Sequence, residues 1–63
     1  MKVEQLRSNV FTITGTSQEV SALIAAARMA AEMMEQDPRA PREALELVRG
    51  VLRDWDAALA RGD

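Results

Sequence analysis

The sequence has no cysteine and no histidine. The first absence excludes disulfides and thiolate metal sites. The second removes the commonest metal ligand and the usual general base. Without either residue there is no Cys–His or Ser–His pair, so the familiar routes to a nucleophilic enzyme are closed. Neither sign of charge is in large excess, since the net charge is only −2. A weakly acidic chain lacks the broad basic footprint of a nucleic-acid binder, and it is too weakly acidic to imitate DNA. The longest apolar run, Ala22 to Ala27, is far too short to span a bilayer. The opening stretch "MKVEQLRSNV" lacks the apolar centre of a signal peptide. These absences predict a non-enzymatic protein with no cofactor, no metal and no membrane partner, with the cytoplasm as its default compartment.

Sixty-three residues make a single small domain. A chain of that size buries a modest share of its surface and is marginal alone. Small domains gain stability from disulfides, metals or oligomerisation. Only the last is left here, so self-association is expected from size and composition together.

Residues 1–15 are β-prone. Val10, Phe11, Ile13 and the threonines Thr12 and Thr14 favour a strand. Val3 to Leu6 can supply a partner strand, with Arg7-Ser8-Asn9 as the turn. Residues 3–14 are therefore read as one strand or a short hairpin. A lone two-stranded hairpin is marginal in water, so it must pack on the helices or pair with another chain.

Gly15 ends the β pattern, and Thr16 followed by Glu19 forms a capping box. The Thr16 hydroxyl can accept from the amide of Glu19, whose carboxylate reaches back to the amide of Thr16. Ser17 is an alternative cap one residue along. A first helix is predicted over 17–36. Val20, Ile24, Ala27, Ala31 and Met34 recur at spacings of 4, 3, 4 and 3, with Leu23 and Ala30 beside them. Ser21, Arg28, Glu32, Glu35 and Gln36 crowd into an arc of about 100°. Ala22, Ala25, Ala26, Met29 and Met33 extend the apolar surface round the other side. That surface is roughly twice the width an ordinary amphipathic helix needs, which implies burial against more than one neighbour.

"DPRAP" separates this helix from the next. Pro38 disfavours helical geometry at Asp37, and Pro41 suits the first turn of a new helix. Alternatively, Asp37 could cap a helix with Pro38 at its first position. A second helix is predicted over 41–60, with Leu45, Val48, Leu52, Trp55 and Leu59 as its seam and Ala44, Val51 and Ala58 flanking it. Arg42 and Glu46 can pair at i,i+4. Gly50 falls on the polar side, where it costs about 1 kcal/mol relative to Ala unless a partner comes close to its backbone. Arg61-Gly62-Asp63 is read as a frayed tail, and its similarity to an adhesion tripeptide carries little weight.

The predicted fold is therefore mainly α. An N-terminal strand or hairpin precedes an antiparallel αα-hairpin, and two copies are expected to form a four-helix bundle. Candidate interface residues are Val20, Leu23, Ile24, Ala27, Met29, Met33, Met34, Val51 and Trp55. Methionine is over-used at adaptable binding surfaces, so Met29 and Met33, with Trp55, are the expected contacts. The expected partners are a second copy and another protein.

Two further readings start from "TITGTSQEV", residues 12–20. A glycine turn feeding a helix N-terminus can hold an anion, but the Walker lysine is missing and Glu19 puts a carboxylate where the anion would sit. The order strand, helix, helix resembles the ribbon-helix-helix repressors, whose paired strands enter the major groove. The resemblance implies a DNA-binding regulator in which Thr12 and Thr14, and Val10 as a further candidate, face the bases while Phe11 and Ile13 face the core. The chain departs from that family in its long first helix, its uncharged strand and its negative net charge. "FTITGTSQEV" also looks like the strand–Gly-Thr-x-x-Glu–aliphatic junction of many small phage and bacterial proteins. Small size and lack of catalytic groups would then suit a phage-encoded inhibitor of a host or defence protein. Glu32 and Glu35 share a helical face and could hold a hard cation only with help from another chain. They read more simply as solvated residues.

Overall fold

A computed structural model describes residues 1–61; Gly62 and Asp63 of the tail read at 61–63 lie outside the described residues. The order of elements is β1 (Lys2–Arg7), β2 (Val10–Thr14), α1 (Ser17–Gln36) and α2 (Arg42–Arg61). The β-prone segment is thus a hairpin closed by Ser8 and Asn9. Its strands pair antiparallel, with Lys2 opposite Thr14, Val3 opposite Ile13, Glu4 opposite Thr12 and Gln5 opposite Phe11. The register then shifts by one residue in β1, so that Arg7 opposes Val10. Side chains alternate across a strand. Val3, Gln5, Phe11 and Ile13 therefore share one face, and Lys2, Glu4, Thr12 and Thr14 share the other.

Within one chain the ribbon does not pack on the helices, as one reading of the sequence required. The two strands pack on each other and the two helices pack on each other. Phe11 and Ile13, expected to face a core, lie with Val3 on a ribbon face that is more than half exposed. One tie links ribbon and helix: the Met1 amino nitrogen lies 3.2 Å from a Glu19 carboxylate oxygen.

Helix α1 begins and ends where its sequence signals place it. Thr16 is extended (φ −69°, ψ 162°) and is the N-cap. Its hydroxyl accepts from the Glu19 amide at 3.1 Å, and its own amide donates to Glu19 Oε1 at 2.9 Å. A Cβ on Gly15 would lie 3.2 Å from that same Oε1 and 3.4 Å from Val20 Cγ2. A side chain at this position would therefore crowd the capping box. At the other end Asp37 is extended (φ −108°, ψ 109°), as a residue before proline must be. Asp37 also organises the loop: its carboxylate accepts from the Arg39 amide and its carbonyl from the Ala40 amide. Pro41 sits one position earlier than expected. It precedes α2, and its carbonyl accepts from the Leu45 amide.

The intrachain core is small. Ala31, Leu45 and Leu52 are buried, and Ile24, Ala27, Met34 and Val48 pack against them. Leu59, expected in the seam, is exposed near the far end of α2, so the packed seam stops short of that end. The chain exposes 5359 Å². A compact monomer of its mass would expose about 4000 Å², so roughly 1400 Å² is surplus. The radius of gyration, 13.3 Å, likewise exceeds the roughly 10.6 Å of a compact chain of this length. No helix among the described residues is long and apolar enough to cross a membrane.

Candidate interaction surface

The seam between α1 and α2 has two flanks of opposite chemistry. On one, Arg28 Nη2 donates to Asp56 Oδ1 at 2.6 Å. On the same flank Arg49 donates to Glu35 Oε2 through Nε at 3.2 Å and Nη2 at 2.6 Å. These two inter-helix pairs set the level at which the helices meet. Arg42 and Glu46, expected to pair along α2, do not come within ion-pair distance. Glu35 is engaged by Arg49 and is not free for a cation.

The other flank has no charge along the middle of the seam. The helical repeat of 100° per residue puts Leu23 and Ala30 of α1 there, facing the same way as Ala44, Val51 and Trp55 of α2. Ala30, Ala44 and Trp55 are half-buried, while Leu23 and Val51 are exposed. The apolar surface continues round the back of α1 through Ala26 to Met33 and Met29, which are 70% and 64% exposed. Their breadth on the helical wheel is what made the arc of α1 look too wide for a single neighbour. No neighbour among the described residues covers them.

The nine interface candidates divide along this line. Ile24, Ala27 and Met34 pack into the intrachain seam. Val20 is half-buried at the start of α1. Leu23, Met29, Met33 and Val51 are open, and Trp55 lies at the edge between seam and surface. Leu47 is a residue the sequence pattern missed. At 72% exposure it is the most open large apolar side chain of α2. It lies one turn before Val51, off the seam, so it extends the apolar flank round α2 as Met29 and Met33 do round α1. The spacing Leu47–Val51 was the available signal.

The ribbon adds a second apolar surface, formed by Val3, Phe11 and Ile13. On its other face Thr12 and Thr14 stand beside Lys2 and Glu4, whose side chains approach to 3.9 Å. The N-terminus of α1 is not an open anion site, because the Glu19 carboxylate takes the Thr16 amide. That hydrogen bond holds the Glu19 carboxyl below its ordinary value, helped by the Met1 amino group and the Thr16 hydroxyl.

Comparison of the chain with protein-family models, with curated proteins and with solved structures found no match.

Proposed function

We propose that the chain is a small non-enzymatic protein–protein interaction module that acts as a homodimer. Two αα-hairpins pack through their uncharged flanks as a four-helix bundle, and the assembled dimer binds another protein. The observation that carries this reading is the open apolar surface: Leu23 and Val51 on the uncharged flank, and Met29 and Met33 round the back of α1, are exposed beside a core of three buried residues among the described ones. A patch of this kind on a small chain marks a binding surface. The surplus of roughly 1400 Å² exceeds the roughly 800 Å² per partner of a standard interface.

Met29→Glu combined with Met33→Glu tests it. The double variant should lower the solution mass from dimer to monomer and abolish binding of any partner the parent binds. If mass, folding and binding are all unchanged, the reading fails.

One observation favours a second reading. Thr12 and Thr14 lie with Lys2 on the exposed polar face of the ribbon, where a strand that reads DNA would present them. The ribbon differs from that of the ribbon-helix-helix proteins in being closed within one chain by β1. This reading predicts salt-sensitive retardation of duplex DNA that Thr12→Ala and Thr14→Ala weaken. The absence of a retarded band at low salt would remove it.

A further inference from the structure

We infer that two copies join through the free edge of β2, turning two ribbons into one four-stranded antiparallel sheet. The inference rests on the homodimer reading and specifies a joint that the helices alone do not supply.

The two edges of the ribbon differ. The β1 edge carries an irregularity between Gln5 and Arg7, and its strand bears Lys2, Glu4 and Arg7. Bulges and charges are the devices by which proteins blunt an open strand edge. The β2 strand, "VFTIT", has none of them: five residues without a charge, a proline or a glycine. Such an edge offers a row of backbone donors and acceptors for another strand. A two-stranded hairpin is marginal alone, whereas three or more strands with an apolar face can be stable. Here the ribbon stands off its own helices, so its missing stabilisation has to come from outside the chain.

A second copy fits this edge in one register. Residues directly opposite in an antiparallel pair share a face, and a slip of one residue exchanges the faces. With the twofold axis at Thr12, Thr12 faces its own copy, Phe11 faces Ile13 of the second copy, and Val10 faces Thr14. All five residues of β2 are then paired. The apolar faces of the two ribbons run together into one surface carrying two copies each of Val3, Phe11 and Ile13. A one-residue slip would set Thr12 against Ile13 and mix polar with apolar. Opposed threonines are also a favourable cross-strand pair. The surplus surface is large enough for both a helical contact and this joint.

Since the chain has no cysteine, a single introduced cysteine reports proximity across the twofold axis. Opposed residues in an antiparallel pair have Cα atoms about 4.5–5.5 Å apart, within disulfide reach. In the full chain, Thr12→Cys should give a disulfide-linked dimer under mild oxidation. It should form at least about tenfold faster than with Lys2→Cys, which lies on the same ribbon face at the far edge. Mixing Val10→Cys with Thr14→Cys should likewise link unlike chains, which covers the case of Thr12→Cys failing to fold. Equal rates for Thr12→Cys and Lys2→Cys would overturn the joint. Solution mass under reducing conditions separates the two failures. A dimer whose Thr12→Cys chains do not link retains the helical interface and loses the sheet. A monomer removes the homodimer reading and the joint with it.

Discussion

The two flanks of the helix seam share the same backbone and differ in what finishes them. One is completed within the chain: Arg28 meets Asp56, and Arg49 meets Glu35. All four side chains are about half exposed. Ion pairs of this kind contribute at most about 1 kcal/mol each. They fix the level of the helices and mark the side that faces water. The other flank is finished by nothing among the described residues. Covering apolar surface there is worth about 25 cal/mol per Å², so even about 400 Å² gives roughly 10 kcal/mol gross, before the costs of association are subtracted. The comparison teaches that the charged flank orients the hairpin, while the uncharged one leaves Leu23 and Val51 exposed.

Mirrored substitutions at the seam should separate the flanks most widely. Val51→Glu places a charge on the uncharged flank. A charge left unpaired at a closed interface costs about 3 kcal/mol or more, so self-association should weaken by about a hundredfold. Arg49→Ala on the opposite flank should change association little and stability by no more than about 1 kcal/mol. Sedimentation and thermal unfolding of both variants check this. Equal effects would erase the distinction between the flanks.

A smaller effect is expected where ribbon meets helix. Thr16→Ala removes the cap hydroxyl and should cost about 1 kcal/mol, read from the unfolding midpoint. The Glu19 carboxyl is more acidic in the folded chain than its ordinary value of 4.5 because the Thr16 amide donates to it. A lowered carboxyl value stabilises the fold above the unfolded-state value, and that stability is lost as pH falls through the folded-state value. The fold should therefore weaken below about pH 4.5, and Glu19→Gln should flatten that part of the profile. An unchanged acid profile in the variant would show that another carboxylate is responsible.

The last prediction concerns the charged side, where the chain carries a helical glycine. A Cβ on Gly50 would meet only the end of the Arg53 side chain, at 3.7 Å. If the charged side stays in water, Gly50→Ala should stabilise α2 by about 1 kcal/mol and leave the mass unchanged. Destabilisation would mean that something packs closely on that side.

The helices were legible in the sequence because their signals are local. Thr16 and Glu19 are three residues apart, Pro38 acts on the residue before it, and the apolar spacing of α1 repeats every turn. The bounds Ser17–Gln36 follow from those signals. The irregularity between Gln5 and Arg7 was not legible, since no glycine marks it. The position of the ribbon was not legible either: whether Phe11 meets a helix depends on the geometry at Gly15 and on contacts distant in sequence. Leu59 keeps the seam spacing yet is exposed, because spacing records the face of a helix and not whether its neighbour reaches that far. Leu47 was missed for the complementary reason: it falls off the seam whose spacing was followed, although its own four-residue spacing to Val51 marks a second apolar stripe. The excess breadth of the α1 arc was visible, and its exposed methionines account for it.

The most direct test is the solution mass of the unmodified chain, measured by light scattering across a hundredfold range of concentration. The account predicts about twice the chain mass of 6.9 kDa, held constant across the range because the uncharged flanks are closed on each other. A constant mass of one chain would contradict it, leaving Leu23, Met29, Met33 and Val51 open in solution.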